Sequence, residues 1–367
     1  MYPFSEGSYA VRNAWYVAAL SHEITRAPME RWFLDEPVVM YRREDGTAVA
    51  LAGRCPHRQF PMVHGKLHGD VLVCGYHGIA FGANGKCLRI PTQERVPPAF
   101  RLRTFPLVEK WKWLWIWMGD PDLADEGLIP DHDAIDLFAE TGPAGEISVP
   151  MFHYDVAGRY QLLNDNLLDL SHLAYLHGGN FGFEGVATTP DVVTTGDRWL
   201  RSRRDIRDAE ASPWIKERNG VARVDYIVDF TFYLPGLHVG INRMSVSRTA
   251  AEQAGEMLQD TLVYHAITPA RRHSAHYFFA NTIKTPVTRQ DETGPFRDGI
   301  AEIIAEDIFA TEQIERMLAS ERPVRDLMTG GDVAVTKGRL MLDRMMKAEQ
   351  AGSEILPTQH REETLSR

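Results

Sequence analysis

The sequence predicts an α+β protein of two domains in series, an all-β domain followed by a mixed α+β domain. Its 367 residues exceed the usual size of one domain. Up to about residue 120, short apolar runs such as PVVMYR, AVALAG and DVLVCG are separated by Gly, Pro and Asp turns, which is typical of strands. A connector rich in proline and acidic residues follows at 119–146. We therefore place the domains at residues 1–125 and 126–350, with a C-terminal tail at 351–367.

The last strand of the first domain is predicted near residue 115, because tryptophans occupy alternate positions from Trp111 to Trp117. The second domain begins with a helix-like segment, GRYQLLNDNLLDLSHLAYLHGG. Strand-like runs follow at 224–243, 261–270 and 273–283, and a long helix is predicted from about Gly299 to Arg322. This order favours a sheet that curls over a helix.

Composition and charge exclude several classes of partner and location. The net charge of −10 argues against a broad nucleic-acid or anionic-membrane surface. The sequence contains no apolar run of the roughly 20 residues that a membrane span requires, and its N-terminus lacks the pattern of a signal peptide. We therefore expect a cytoplasmic protein. With only three cysteines, a disulfide framework is not expected, and a Cys/His cluster in a reducing compartment indicates a metal.

Two Cys/His pairs lie in the first domain, Cys55-x-His57 and Cys74-x-x-His77, with sixteen residues between them. Thiolate and imidazole are soft ligands, so the pairs can form an S2N2 site, of which structural zinc is the common example. Common zinc modules pair Cys with Cys and His with His, however, and here each loop carries one of each. The mixed pairing favours a [2Fe-2S] centre of the Rieske type, with thiolates on one iron and imidazoles on the other.

The residues around these pairs suit tight loops whose amide groups can face the sulfurs: Pro56, Pro61, Gly75 and Gly78. Cys87 has no neighbouring ligand pair and is interpreted as a small buried apolar residue.

A second candidate metal site begins in NDNLLDLSHLAYLHGG, where His172 and His177 are five residues apart. On a regular helix this spacing separates them by about 140°, so a shared metal requires a π-type bulge or a helix end. The alternative is two unrelated histidines near a helix terminus. Several polar residues precede the pair among leucines and need partners if they are buried: Asn164, Asp165, Asn166 and Asp169.

A carboxylate would complete the two-histidine, one-carboxylate triad of non-haem Fe(II) oxygenases. In the late helix, one apolar face is defined by Ile300, Ile303, Ile304, Ile308, Ile314 and Leu318. Asp307 falls near the centre of this face, where an acid must be paired or bind a metal. A buried salt bridge to an arginine is the alternative. The helix's glutamates are expected to lie away from that centre: Glu302, Glu306, Glu312 and Glu315.

Several motifs, CPHR, CGYHGIAF, VRNAWYVAAL, WIWMGDP and DNLLDLSHLAYLH, together resemble the Rieske non-haem iron oxygenases. Over most of the chain the resemblance is to oxygenase components of aromatic O-demethylases of the vanillate and dicamba type. It implies an all-β Rieske domain followed by a helix-grip (START-like) catalytic domain with a curved antiparallel sheet. It also implies ligands for the cluster, Cys55, His57, Cys74 and His77, and for a mononuclear Fe(II), His172, His177 and Asp307, the last within the motif EDxxxxEQ.

The resemblance assigns further roles. Asp169 is implied as the carboxylate that bridges a Rieske histidine of a neighbouring subunit to an iron-ligand histidine, which requires a head-to-tail homotrimer. Asp165 is expected to be a solvated or capping acid. The implied substrate-cavity residues are Asn166, Asn242 and His265, although the last two can instead be satisfied polar residues of the sheet. Some demethylases carry a bulky aromatic residue nine positions before the carboxylate ligand, where this chain has Asp298.

The sequence lacks a dinucleotide-binding GxGxxG after a strand, a Walker A loop and a four-cysteine ferredoxin pattern. We therefore expect NAD(P)H to be oxidised by a separate flavin or ferredoxin-containing reductase. The resemblance implies a terminal oxygenase that uses O2 to O-demethylate a methoxylated aromatic acid, releasing formaldehyde. The alternatives are hydroxylation of a ring or alkyl carbon by the same metals, and, from another class, a zinc-containing ligand-binding protein.

Overall fold

The computed structural model describes residues 3–4, 9–130, 147–177, 184–249, 254–283, 293–318 and 326–352. At 147–151, 184, 214, 283 and 293–298 it describes the backbone alone. The chain divides into two compact units. The N-terminal unit comprises Arg12–Pro130 and Thr268–Ser274, and the C-terminal unit comprises Met1–Val11, Asp131–Ile267 and Ala275–Arg367. The predicted domain boundaries stay a prediction.

The N-terminal unit is built from ten short strands in three sheets. The strands are β1 Trp15–Leu20, β2 Met29–Phe33, β3 Glu36–Arg42, β4 Ala48–Ala52, β5 Lys66–His68, β6 Val71–Val73, β7 Ala80–Phe81, β8 Cys87–Arg89, β9 Leu107–Lys110 and β10 Trp113–Trp117. The sheet orders are β1-β10-β9, β2-β3-β4 and β5-β6-β7-β8, and the pairings are antiparallel. Short antiparallel strands joined by tight turns confirm the predicted all-β domain.

The predicted tryptophan strand is confirmed as β10, the central strand of its sheet. All five residues of β10 are buried, including Trp113, Trp115 and Trp117. Trp111 departs from the prediction, because it lies in the β9–β10 turn with a φ of 60° rather than in the strand.

The remaining elements lie wholly or largely in the C-terminal unit: β11 Ile147–Val156, α1 Tyr160–Leu168, α2 Glu184–Thr188, β12 Val192–Thr195, β13 Trp199–Glu210, α3 Pro213–Asn219, β14 Arg223–Tyr233, β15 Leu237–Val246, β16 Met257–Arg271, β17 Ser274–Ile283, α4 Thr293–Leu318 and α5 Val333–Gln350. One large antiparallel sheet has the order β11-β17-β16-β15-β14-β13-β12. Helix α1 packs against α4 and α5, while α4 also contacts β11 and α5 contacts β13. This arrangement confirms the α+β class of the second domain.

Two predicted helix boundaries need correction. Helix α1 ends at Leu168, eleven residues before the end of the helix-like segment, because Asp169 leaves the helical conformation at φ −107°, ψ 88° and a 3-10 turn follows at Leu170–Ala174. Helix α4 begins at Thr293, before the predicted Gly299, and is described to Leu318.

Within the described residues, no helix is long and apolar enough to cross a membrane.

Candidate metal centres

The two Cys/His loops of the N-terminal unit have the same backbone hydrogen bonding. In each loop the cysteine carbonyl accepts from the N–H four residues later, at 2.8 Å for Cys55 and 3.0 Å for Cys74. In each loop the cysteine N–H also donates to the carbonyl five residues later, at 2.9 Å and 2.8 Å. The two loops therefore present their Cys and His side chains from matching turns.

Two residues of these loops have the left-handed backbone that such a turn requires, Gln59 with a φ of 57° and Gly78 with a φ of 68°. Gly75 is required for a different reason. A Cβ at this position would lie 2.4 Å from the carbonyl oxygen of His64, so any larger residue would push the second loop away from the segment that contains His64.

The loops bury the thiols and expose the imidazoles. Cys55 and Cys74 are 1% and 2% exposed and belong to the apolar core of the unit, whereas His57 and His77 are exposed. Burial and the adjacent Cys74 thiol raise the pKa of Cys55 to about 11. The Nδ1 atoms of the two histidines lie 3.2 Å apart, close to the ~3.4 Å expected for two nitrogens on one tetrahedral metal.

The spacing of the two pairs distinguishes a two-metal cluster from a single zinc ion. In a tetrahedral S2N2 site all four ligand atoms lie within about 4 Å of one another. Among the described residues, no group of three that combines a thiol from Cys55 or Cys74 with an imidazole brings its ligand atoms within 4.8 Å. Adjacent thiols and adjacent imidazoles, with a gap between the pairs, fit two irons bridged by sulfide.

The C-terminal unit brings His172 and His177 together at the end of α1. The Nδ1–H of His172 donates to the Asp169 carbonyl at 2.6 Å, which directs its Nε2 away from the backbone. The chain then turns tightly, because the N–H groups of Tyr175 and Leu176 both donate to the carbonyl of His172. The imidazole centroids are 5.3 Å apart. Of the two geometries left open by the sequence, the structure has a helix end rather than a π-type bulge.

Asp307 on α4 faces both histidines. Its Oδ1 lies 3.1 Å from Nε2 of His177 and 3.4 Å from Nε2 of His172. Asp307 and His177 are 5% and 1% exposed. Burial alone would raise the pKa of Asp307, but its hydrogen bonds to the two histidines outweigh burial and hold that pKa below its usual value. Two imidazoles and one carboxylate thus converge, which is the donor set of a facial triad.

Glu306 was expected to lie away from this centre, and the structure corrects that expectation. Its Oε2 accepts a hydrogen bond from Nδ1 of His177 at 2.6 Å, while its side chain remains 40% exposed. A helical wheel misses this contact because the long side chain reaches around the helix from the edge of the buried face. The available signal was its position beside Asp307, since metal-binding histidines usually donate their second N–H to a carboxylate or carbonyl.

The expectation for Asp165 was also wrong. Its side chain is only 12% exposed and forms a close ion pair with Arg339, 2.7 Å from Nη2, and accepts from Gln161 at 2.8 Å. It is neither solvated nor a cap, and its engagement with Arg339 leaves Asp307 as the carboxylate that faces both histidines.

The buried stripe of α4 differs in part from the predicted face. It comprises Ile300, Ile304, Asp307, Thr311 and Glu315, whereas Ile314 is 48% exposed. Glu315 is buried because Arg159 binds both of its carboxylate oxygens at 2.7 Å. This partner is distant in the sequence, so the helix pattern alone did not indicate it.

A cavity of about 140 Å³ opens beside His172 and Asp307. Its lining is mostly apolar and comes from α1, the following turn, α2, β14–β17 and α4. Asn242 and His265 line it, and each contacts a tyrosine: Asn242 Oδ1 accepts from Tyr226 at 3.0 Å, and His265 Nδ1 lies 2.6 Å from the Tyr277 hydroxyl. Burial lowers the pKa of His265 to about 4, so its ring is neutral.

Two other residues, Asn166 and Arg243, bond to acidic side chains instead of lining the cavity. Asn166 is not among the residues that line the cavity, and its amide donates to Asp307 Oδ1 at 3.1 Å. The side chain of Asp298 lies outside the described residues. Arg243, next to Asn242, pairs with Asp260 at 3.2 Å, as expected for a neighbour on the opposite face of a strand.

Comparison with known proteins gives two family matches. Residues 14–106 match the Rieske [2Fe-2S] domain, and residues 156–348 match the vanillate O-demethylase oxygenase C-terminal domain. A putative toluene-4-sulfonate monooxygenase system iron-sulfur subunit of Comamonas testosteroni is 33% identical over 94% of this chain and 99% of its own. The dicamba O-demethylase oxygenase component of Stenotrophomonas maltophilia is 32% identical over 93% and 99%.

Solved structures agree with these matches. The crystal structure of dicamba monooxygenase bound to 3,6-dichlorosalicylic acid superimposes with a TM-score of 0.82 and 31% identity, covering 94% of this chain and 100% of that chain. Another structure of that enzyme, with non-haem iron and dicamba, gives a TM-score of 0.75 at 29% identity and the same coverage.

Proposed function

The chain belongs to the Rieske oxygenases with a vanillate O-demethylase-type C-terminal domain, and from this membership we propose that it O-demethylates a methoxylated aromatic acid. It is the oxygenase component of a multicomponent system. Its cofactors are a [2Fe-2S] Rieske cluster and a mononuclear non-haem iron, its co-substrate is O2, and its electrons come from a reductase. In the proposed reaction, two electrons from NAD(P)H and one O2 convert an aryl methoxy group into a phenol, formaldehyde and water.

We assign the cluster to Cys55, Cys74, His57 and His77. The burial of both thiols supports a sheltered iron, and the exposure of both imidazoles supports a second iron at the surface. Electrons would therefore leave through the imidazoles, because they are the ligands nearest to solvent.

We assign the mononuclear iron to His172, His177 and Asp307. Iron in this position supplies the activation of O2 for attack on a substrate C–H bond. The protein's own contribution is orientation: the Asp169 carbonyl fixes His172, the Glu306 carboxylate fixes His177, and the Asn166 amide holds Asp307. Each ligand atom thus reaches the centre with its side chain already held by a neighbour.

The observation that carries the substrate proposal is the pair of hydrogen-bond donors that the cavity presents beside the triad. Because Tyr226 donates to Asn242 Oδ1, the Asn242 Nδ2 amide remains available as a donor. If Tyr277 donates to Nδ1 of neutral His265, the Nε2–H of His265 is a donor as well. Two donors in a mostly apolar cavity suit the carboxylate or phenolate of an aromatic substrate.

The size of the cavity supports a single aromatic ring. Cavities of about 150 Å³ admit benzene, and this one measures about 140 Å³. A fused or extended substrate would need the cavity to enlarge, whereas a ring with one small acidic group and one methoxy group needs modest adjustment.

Three finer features belong to the same proposal. The side chain of Asp169 would couple the neighbouring subunit's Rieske histidine to His172. The backbone carbonyl of Asp169 accepts from Nδ1 of His172 at 2.6 Å, so the two residues are adjacent. This coupling requires a head-to-tail homotrimer. The electron donor would be a flavin or ferredoxin-containing reductase, and the system would operate in the cytoplasm, where NAD(P)H is regenerated.

One specific observation favours a second candidate, oxidation of an aryl methyl group. The toluene-4-sulfonate relative matches this chain at 33% identity, alongside the dicamba relative at 32%. The same two donors would bind an aryl sulfonate as readily as a carboxylate, so the anionic group alone does not separate the two reactions.

The test uses the reconstituted holoenzyme with a surrogate reductase and matched pairs of substrates, 4-methoxybenzoate against 4-methylbenzoate and 4-methoxybenzenesulfonate against toluene-4-sulfonate. O-demethylation predicts one formaldehyde per NAD(P)H from a methoxy member of a pair. Benzyl alcohols from the methyl members, without formaldehyde from the methoxy members, would replace the proposal with the second candidate.

A further inference from the structure

A second group of two histidines and one aspartate lies in the C-terminal unit, apart from the site already described. His153 and Asp155 are on β11, and His276 is on β17. The strands pair in a register that places Asp155 opposite His276. His153 is two residues from Asp155, so all three side chains project from the same face of the sheet.

The three ligand atoms converge on one point. Nδ1 of His276 lies 2.8 Å from Oδ1 of Asp155 and 3.2 Å from Nε2 of His153. The distance from Oδ1 of Asp155 to Nε2 of His153 is 3.6 Å, so the three atoms form a triangle. Such a triangle has a circumradius of about 1.9 Å, so an ion just off its plane lies about 2.0–2.1 Å from all three atoms. These are the usual lengths of Zn–N and Zn–O bonds.

The chemistry of the atoms favours an ion over a shared proton. Nδ1 of His276 carries at most one hydrogen, yet both a carboxylate oxygen and an imidazole nitrogen lie within hydrogen-bond distance of it. One proton on His276 satisfies one of these contacts, and a proton on Nε2 of His153 would face the Asp155 oxygen at 3.6 Å, beyond ordinary hydrogen-bond length. A divalent cation accepts lone pairs from all three atoms at once.

The surroundings shelter the two histidines from solvent and leave the aspartate exposed. The ring of His153 stacks on Phe278 with centroids 4.6 Å apart, and the histidine side chains are 12% and 7% exposed. The Asp155 side chain is 78% exposed, so remaining coordination positions face solvent and can hold water. Buried imidazoles beside an exposed carboxylate form a site that a free ion can enter.

We propose that His153, Asp155 and His276 form an accessory site for a divalent transition metal ion, with Zn²⁺ as the ion whose ligand preferences it matches best. The ion ties β11, the edge strand of the large sheet, to β17. It is independent of the proposed reaction, because none of its ligands contributes to the catalytic triad.

The test is a Zn²⁺ titration of the iron-loaded holoenzyme by calorimetry, followed by desalting and elemental analysis. We expect one zinc per chain in addition to the native iron. Asp155→Asn and His276→Gln should each weaken this binding by more than about tenfold, since loss of a direct ligand costs at least as much as loss of an outer-shell partner. The Rieske absorbance of each variant reports that it has folded.

Two controls make the result specific. His68→Gln removes an exposed histidine of the N-terminal unit and should leave the zinc stoichiometry unchanged. Asp307→Ala disrupts the catalytic triad and should leave the accessory zinc in place, so failure of the iron assignment is distinguishable from failure of this site. The proposal would be overturned if the wild-type protein bound no more zinc than Asp155→Asn. It would also be overturned if His68→Gln lost as much bound zinc as Asp155→Asn does.

Discussion

Glu306 and His177 form a 2.6 Å hydrogen bond in which the imidazole Nδ1–H donates to the carboxylate. The opposite ring nitrogen of His177 faces Asp307 at 3.1 Å. The bond therefore fixes both the tautomer and the orientation of a proposed iron ligand. A carboxylate in this position also makes the imidazole a stronger donor to a metal.

We predict that Glu306→Gln lowers the affinity of the mononuclear site for Fe(II) by about 10- to 100-fold and leaves the Rieske spectrum unchanged. The amide has a similar shape but lacks the charge that strengthens His177 as a ligand. Anaerobic iron titration of the iron-depleted protein measures the effect. Glu302→Gln is the matched control, because Glu302 is an exposed glutamate one turn earlier on α4. Equal iron affinity in both variants would remove the positioning role of Glu306.

A second prediction concerns the cluster. Cys55→Ser should abolish the iron–sulfur absorbance, because a hydroxyl is a poor replacement for a thiolate ligand of iron. Cys87→Ser should retain it, since Cys87 lies on β8 outside the two ligand loops. Iron and sulfide analysis per chain, with visible absorbance, checks both variants. Wild-type absorbance in Cys55→Ser would refute the ligand assignment.

A third prediction separates the two aspartates that competed for the role of carboxylate ligand. Asp307→Ala should lose the mononuclear iron and turnover while it keeps the Rieske spectrum. Asp165→Asn should keep the iron but lower the free energy of unfolding by about 1.5–3 kcal/mol, because it weakens a charged hydrogen bond to Arg339, which keeps its 2.8 Å contact with Asp326. Iron content and denaturant unfolding distinguish the outcomes. Full iron and activity in Asp307→Ala would transfer the ligand role to another acid.

The sequence predicted those parts of the site that depend on local spacing. Each Cys/His pair lies within one short loop, and the order of β-rich and mixed segments was sufficient to predict the domain classes. Asp307 stood out because an acid occurred on an apolar helix face. The late helix was found, although its start was placed six residues late.

Features that depend on distant partners were missed. Glu315 is buried because Arg159 reaches it from another part of the chain, and Asp165 is paired rather than solvated because of Arg339. The spacing of His172 and His177 could not decide between a bulge and a helix end, since the choice depends on the backbone of Asp169. Glu306 was misplaced because a helical wheel treats long and short side chains alike.

A fourth prediction concerns electron delivery. Asp169→Asn should preserve both metals, because the backbone carbonyl that orients His172 is unchanged. It should reduce turnover to a small fraction of the wild-type rate, because the amide lacks the charge by which this side chain would couple the two imidazoles across the subunit interface. The amide oxygen can still accept from the Ser171 N–H, which Asp169 binds at 3.0 Å, so the local turn should persist. Single-turnover oxidation of the pre-reduced cluster in the presence of substrate and O2 is the measurement. A wild-type rate of cluster oxidation would remove the bridging role.

The last prediction concerns recognition of the acid group in the cavity. Asn242→Leu should lower kcat/KM for a methoxybenzoate by about 10- to 100-fold, since a hydrogen bond to a charged group contributes about 1.5–3 kcal/mol. For a neutral methoxybenzene that carries an isopropyl group in place of the carboxylate, kcat/KM should change little, because leucine fills a volume similar to that of asparagine and the neutral group needs no donor. The ratio of the two values within one variant is the measurement, so any general damage to the site cancels. The substitution also removes the acceptor to which the Tyr226 hydroxyl donates at 3.0 Å in the wild-type protein. The double variant Tyr226→Phe/Asn242→Leu therefore tests whether that hydroxyl replaces the lost donor. An unchanged acid-to-neutral ratio in both variants would show that the carboxylate binds elsewhere.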